Sequence, residues 1–344
     1  MSKNQMTVSE RFHAVMNFEP FDRLPLVEWA AWWDKTVDRW HTEGLPATFS
    51  SHWKDRYNLC KHFDLDVYYQ AWYRSVHWSC PKPVAHGTGI MKDEDDYQKL
   101  REKLFTIEDG WPVNQDELAC WAKDRAAGNA AIWFTLDGFF WLPRTLFGDE
   151  EHLYSFYDQP ELLHRINREN AEWMIRMIDE ICKTVTPDFM TFAEDMSYNN
   201  GPMLSKAHFD EFMKPYYEMV VPHLKERGIR AFVDSDGNIH EPAPWFESAG
   251  IEGILPLEKQ AGVDMAKLRA DHPKQLYLGG FDKMTMPKGE AAMREEFERL
   301  LPVAKQGGYI ISCDHQTPPG VPLENYHTYL RLFREYAAKA AVGI

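Results

Sequence analysis

Ile229-Arg230-Ala231-Phe232-Val233-Asp234-Ser235-Asp236-Gly237-Asn238 is a short apolar run that ends in two carboxylates and a glycine. Asp and Gly are poor strand residues, so a buried strand formed by the apolar part should stop at Asp234. Asp234 and Asp236 are two apart, and in extended backbone they would share one face. Side-by-side carboxylates repel unless a cation, a proton or a positive substrate lies between them. Asp-Ser-Asp-Gly-Asn is also good turn chemistry, and a turn with no further role is the plain alternative. A site is favoured because other apolar runs in the chain end in the same way.

Working outward, the pattern repeats. Downstream, residues 251–257 read as a strand ending at Glu258, 276–281 as one ending at Asp282-Lys283, and 309–312 as one ending at Cys313-Asp314-His315. Helical stretches at 242–249, 265–272, 290–306 and 324–341 alternate with them. Upstream, 188–192 is a strand ending in Glu194 and Asp195, preceded by a long helix at 161–184 and followed by a helix at 206–227 interrupted near Pro215 and Pro222. Residues 131–140, 66–73 and 21–29 supply three more apolar runs, the first interrupted by Asp137-Gly138 and the last ending near Glu28. The near-continuous apolar strands fit a parallel sheet buried on both faces. Eight such units in 344 residues predict a single domain, a distorted (β/α)8 TIM-type barrel with a helical, aromatic insertion at 30–65. A doubly wound open sheet would usually carry a glycine-rich phosphate loop after its first strand, and none is present.

Composition narrows the function classes. A net charge of −15 argues against a nucleic-acid binder and disfavours docking on anionic lipid. The five cysteines, Cys60, Cys80, Cys120, Cys182 and Cys313, form no Cys-x-x-Cys pair, which fits a reduced, cytoplasmic setting. No apolar signal core and no run of about 18 apolar residues is found, so no membrane span is expected. Eleven of the 13 tryptophans, Trp53 and Trp111 among them, precede residue 142. The cluster Trp29, Trp32 and Trp33 beside acidic residues is either core packing or the lining of a pocket for a flat or cationic ligand.

In a (β/α)8 barrel the C-terminal strand ends converge on the active site. Here they deliver Glu28, Asp137, Glu194, Asp195, Asp234, Asp236, Glu258, Asp282, Asp314 and His315. A lone Asp after a strand is usually a helix cap. A ring of carboxylates with a histidine is the composition of a metal site, or of a site for a cationic substrate. The spacing carries no local metal signature, and Lys283 could neutralise part of the ring.

Arg11-Phe12, Phe21-Asp22-Arg23-Leu24-Pro25, Leu278-Gly279-Gly280-Phe281-Asp282, Gly307-Gly308-Tyr309-Ile310 and Val321-Pro322-Leu323-Glu324-Asn325-Tyr326 resemble segments of the uroporphyrinogen decarboxylase superfamily. The resemblance implies a distorted (β/α)8 barrel, and either porphyrinogen decarboxylation or zinc-dependent, corrinoid-linked methyl transfer. The decarboxylases carry Arg-Gln-Ala-Gly-Arg-Tyr just after the first strand, where this chain has Trp29-Ala30-Ala31-Trp32-Trp33-Asp34. An acidic, Trp-rich entrance is poorly suited to an octa-anionic tetrapyrrole. The methyltransferases use a His-x-Cys-Gly segment and a later Cys as zinc ligands. Matching that pattern puts Asp234 and Asp236 at the first two places and His315 at the last. These residue types can hold zinc, in a harder site than thiolates make.

The resemblance thus implies a methyltransferase acting on an aryl methyl ether or methylated amine. Its metal ligands would be Asp234, Asp236 and His315, and Glu194 or Asp195 its general acid. Trp29, Trp32, Glu28 and Glu258 would contact substrate. The corrinoid would come on a separate protein, because no Asp-x-His-x-x-Gly cobalamin motif is present. The competing expectations are a decarboxylase or lyase for a small acid, and a non-catalytic binding barrel.

Overall fold

The computed structural model describes residues 5–30, 32–50, 52, 55–108 and 111–341; Trp53 lies outside them. The strands are β1 Val67–Tyr73, β2 Ala130–Asp137, β3 Phe189–Ala193, β4 Ser197–Tyr198, β5 Gly201–Pro202, β6 Arg230–Asp234, β7 Gly253–Leu255, β8 Leu276–Phe281 and β9 Tyr309–Cys313. Among the described residues, seven of them form one parallel sheet in the order β1-β2-β3-β6-β7-β8-β9, while β4 and β5 make a two-strand hairpin. Helices alternate with the sheet strands, and the sheet curls into the expected distorted TIM-type barrel.

The expected strand at 21–29 is not one. Residues 24–29 carry no ladder. They fill the eighth place through isolated bonds. Asp66 donates its amide to Leu26 O at 3.0 Å, Leu26 donates its own to Asp66 Oδ2 at 2.8 Å, and Trp29 Nε1 donates to Cys313 O at 2.6 Å. The gap between β1 and β9 is therefore closed by one backbone bond and by side-chain bonds instead of a ladder. Beyond this segment the free edge of β1 is covered by helix Arg56–His62. Tyr57 Oη accepts from Gln70 N at 3.0 Å, and Arg56 Nη2 donates to Gln70 O at 2.8 Å. Pairing an exposed edge in this way removes a template for aggregation.

The Arg11-Phe12 and Phe21-to-Pro25 segments have a structural explanation. Helix Val8–Met16 closes the N-terminal end of the barrel, capped by Thr7 and Glu10 in a capping box. Its Arg11, 1% exposed, grips Asp22 through Nε at 2.7 Å and Nη2 at 2.8 Å, while Arg23 grips Asp66 at 2.7 and 2.8 Å. Two bidentate pairs thus tie the first helix and the strandless segment to β1.

Period-2 alternation sorts the strand residues into layers inside the barrel. At the bottom, Phe12, Tyr68, Trp133, Phe189 and Phe232 pack ring against ring, with Tyr68–Trp133 at 4.6 Å and Trp133–Phe189 at 4.9 Å. Above them Gln70, Thr135 and Thr191 form a polar layer, with Gln70 Nε2 to Thr135 Oγ1 at 3.1 Å and Thr135 to Thr191 at 2.6 Å. Two residues beyond Gln70, Thr135, Thr191 and Phe232 come Trp72, Asp137, Ala193 and Asp234, and this layer opens at the C-terminal mouth. Asp137, Ala193, Asp234 and Leu255 are register partners across four adjacent strands.

Helices Gln115–Ala126 and Asp149–Asp158 escape the sequence reading. The first has a weak apolar stripe, with Leu118 and Trp121 alone buried. The second follows Gly148 directly after helix Trp141–Phe147, with no spacer to mark a new element. The helix at 206–227 breaks at Met213 into Lys206–Phe212 and Lys214–Glu226, and Pro222 is accommodated inside the second piece.

Candidate active site

Three of the expected carboxylates meet at the C-terminal mouth. Asp195, Asp234 and Asp236 each offer an oxygen, and the three oxygens lie within 4.8 Å of one another. Asp234 is the last residue of β6, and the chain turns immediately afterwards. Gly237 makes the turn possible: its φ is 85°, and a Cβ there would meet the Ser197 carbonyl carbon at 2.6 Å. The hairpin of β4 and β5 therefore lies directly on the Asp loop. Asp195 itself adopts φ 41°, a left-handed conformation that Asp tolerates better than most residues. Its Oδ1 accepts the Asp236 amide at 3.3 Å, and Arg144 holds it through a 2.9 Å bond to its carbonyl and a 3.8 Å approach to Oδ2.

The electrostatics follow from crowding. Burial and the charges of Asp195 and Asp236 push Asp234 well above the usual carboxylate range. Asp236 is pushed up to about 8 by burial, Asp195 and Glu258, with Lys283 opposing. Asp195 is raised as well, mainly by burial, against the pull of Arg144. At neutral pH the cluster binds protons that three free carboxylates would release, unless a cation takes their place.

His315 stands beside this group, next to Asp236. Its Nε2 lies 3.7 Å from Asp236 Oδ2, and its ring meets Trp29 edge-on at 6.1 Å. Burial and Lys283 hold its pKa below the usual imidazole value, so the neutral, ligating form dominates at pH 7. Glu258 joins through Oε2, which accepts the Gly237 amide at 3.0 Å. Asp314 is completely buried and works one step behind the site. It accepts from Lys283 Nζ at 3.1 Å and from the Lys259 amide at 3.1 Å, while Lys283 Nζ stands 3.9 Å from Glu258. Asp282 caps the turn that follows β8, accepting from Met284 N at 2.8 Å.

Three expected site residues lie elsewhere. Glu194 is completely buried and points into the start of helix Trp141–Phe147, where Phe139, Phe140 and Trp141 donate their amides at 2.9, 2.7 and 3.3 Å. Tyr217 adds its hydroxyl. The carboxylate meets the unpaired amides of a helix start, a capping role. Glu28, 2% exposed, accepts from Tyr329, Ser312 and Cys313 within the core. Trp32, 3% exposed, packs against Phe63 and Tyr326. Burial of these apolar and hydrogen-bonded groups is the physical reason that none of the three faces the mouth, while Trp29 reaches it through His315. Cys313 is buried, with its thiol pushed well above the usual range.

The sequence reading missed an aromatic and basic cluster on the neighbouring strands. Asp137 accepts from Arg74 Nη1 at 2.7 Å, from Trp72 Nε1 at 3.0 Å and from the Ser75 amide at 3.3 Å. The Arg74 guanidinium stacks 4.0 Å over Trp72 and lies 5.7 Å from the Trp141 ring, which Arg144 approaches at 4.7 Å. The available signal was positional: Trp72 and Arg74 stand at the end of a strand, as the acids do. At the opposite, N-terminal end a cavity of about 700 Å³ is lined by Met16, Arg230, Glu252 and Leu276. Chemistry in this barrel class belongs to the other end.

The comparisons agree with this architecture. A methyltransferase from Methanosarcina mazei superposes with a TM-score of 0.65 at 14% identity, covering 96% of this chain and 99% of that one. Likeness at that identity shows a shared fold. A uroporphyrinogen decarboxylase of Campylobacter jejuni is 25% identical over 190 residues, 53% of this chain, and the match spans about half of the relative, 52%. The model of the uroporphyrinogen decarboxylase (URO-D) family matches residues 146–336, which carry Asp195, Asp234, Asp236, Glu258 and His315. That span is more than half of the chain, which therefore belongs to the uroporphyrinogen decarboxylase family.

Proposed function

We propose that the chain is a methyltransferase. It would move a methyl group from a small methylated substrate, an aryl methyl ether or a methylated amine, to a corrinoid carried by a separate protein. The observation that carries this reading is the meeting of Asp195, Asp234 and Asp236 at the barrel mouth, with His315 3.7 Å from Asp236. Support also comes from the superposed methyltransferase and from the absence of the arginine-rich entrance of the porphyrinogen decarboxylases.

The residues fit a metal. Three crowded carboxylates with raised proton affinity and a neutral imidazole form an oxygen and nitrogen donor set suited to zinc. Asp234, Asp236 and His315 would hold the ion, which when bound supplies Lewis-acid polarisation of the leaving group. Asp195 has the role of general acid by its position, its carboxylate lying within 4.8 Å of those of Asp234 and Asp236. Glu194 is spent on helix amides and cannot share that task. Trp29 and His315 wall one side of the mouth, and Lys283, held by Asp314, balances part of the acidic ring.

Anaerobic incubation with a panel of methoxyarenes and methylamines and a reduced corrinoid protein should give the absorbance of a methyl-corrinoid. The product should depend on added zinc and fall at least about 100-fold in Asp195→Asn. Absence of methyl-corrinoid across the panel with metal loaded contradicts the reading. A second reading, decarboxylation of a small acid, draws on the curated decarboxylase relatives. Carbon dioxide release without any methyl acceptor would select it.

A further inference from the structure

We infer that Arg74 is the carboxylate-binding end of the substrate pocket, and that the methylated substrate is an aromatic acid. The methyl end of this assignment rests on the methyl-transfer reading; the acid end stands on Arg74 alone.

Trp72 and Asp137 share the inward face of the barrel with Asp234, and Asp137, Ala193 and Asp234 are partners in one row. Arg74 continues that row by one strand, since Tyr73 pairs with Leu136. Three steps of about 4.8 Å put the Arg74 Cα roughly 14 Å from that of Asp234. The Arg74 side chain lies along this row, its Nη1 on Asp137 of the next strand at 2.7 Å.

The guanidinium is prepared for a ligand. Asp137, 3% exposed in its side chain, fixes one of its nitrogens at 2.7 Å, and the Trp72 ring supports its face at 4.0 Å. Its other N–H groups have no partner among the described residues, and the side chain is 44% exposed. A guanidinium held flat with donors to spare is suited to a planar carboxylate. A plain surface ion pair with Asp137 is the simpler account. That pairing neutralises the buried acid but occupies a single guanidinium nitrogen, and leaves the rest of the group over the exposed Trp72 face.

The two ends of the mouth differ in their side chains. Asp195, Asp234, Asp236 and Glu258 gather at one end, where the proposed metal and reaction centre lie. Arg74 and Arg144, flanking Trp141, make the other end receptive to an anion. An aromatic acid lying along Trp141 would place its carboxylate at Arg74 and its methyl group at the acidic cluster.

The test is calorimetric titration of the whole chain with a methoxybenzoate and with the corresponding neutral methoxybenzamide, in wild type, Arg74→Leu and Arg74→Lys. The acid should bind wild type at least about tenfold more tightly than the amide. Arg74→Leu should bring the two affinities together, and Arg74→Lys should retain part of the preference. Equal affinities in wild type, an acid affinity unchanged in Arg74→Leu, or no acid binding at millimolar concentration would overturn the inference. No methyl transfer enters the measurement. An Arg74-dependent acid preference without methyl transfer would keep this inference and sink the proposed reaction, and transfer from neutral ethers alone would do the reverse.

Discussion

Asp236 holds its carboxylate within 4.8 Å of those of Asp195 and Asp234, and the fold bears the repulsion. Its folded-state pKa of about 8 lies above the ordinary value of 3.8, so its favourable contribution is present below pH 4 and is lost as pH rises through 8. Because the side chain is 37% exposed, solvent screens much of this. Asp236→Asn should therefore stabilise the metal-free protein by only about 1–2 kcal/mol at pH 8.5, and by less at pH 5. Thermal melts with chelator present would show it, and added zinc should reverse the order by stabilising only the wild type. A variant less stable than wild type under chelation at pH 8.5 would refute the repulsion. The Asp pair was legible in the sequence because period-2 spacing after an apolar run is a local signal. Its closeness to Asp195 was not, because the left-handed turn at Asp195 and the seating of the hairpin on Gly237 are tertiary facts.

Among the elements, helix Trp141–Phe147 depends on Glu194, a residue 53 positions later than Trp141 in the chain. Glu194→Ala would strip four donors of their acceptor in a site that excludes water, costing about 2–4 kcal/mol in denaturant unfolding. Burial raises Glu194 to about 7 from 4.5, so its contribution is complete below pH 4.5 and declines as pH rises through 7. The loss in Glu194→Ala should accordingly be larger at pH 5 than at pH 8, by an amount on the order of 1–3 kcal/mol. A loss that is constant across this range would contradict the assignment. Glu194 illustrates why strand-end acids cannot be sorted from sequence alone. A helix cap and a catalytic acid have the same local signature, and the partner that decides between them is remote. Likewise Phe21 to Trp29 has strand composition, but its polar contacts are made by Asp66 and Ser312 rather than by a ladder. Asp66→Ala removes the partner of Arg23 and the acceptor of the Leu26 amide, and should cost about 3–4 kcal/mol. Unchanged stability would mean that the segment is held by apolar packing alone.

Over the whole molecule, the alternation of apolar runs and helical stretches carried most of the fold, since buried parallel strands and their covering helices leave strong periodic signals. The weaker elements, helix Gln115–Ala126 above all, leave few buried positions to read. The mouth has a polarity that composition hides: acids on β3, β6 and the loop after β7, arginines and tryptophans beside β1 and β2. On this division rest the metal proposed for one end of the mouth and the carboxylate proposed for the other. No helix among the described residues is long and apolar enough to cross a membrane. The central claim is that the acidic end holds a metal. Its most direct test is the metal content of protein purified without added metal, compared with Asp234→Asn, Asp236→Ala and His315→Ala. About one zinc per chain in the wild type, lost in the three folded variants, is the expected result. Wild-type protein that stays metal-free even after dialysis against zinc, or that keeps its zinc in those variants, would contradict it.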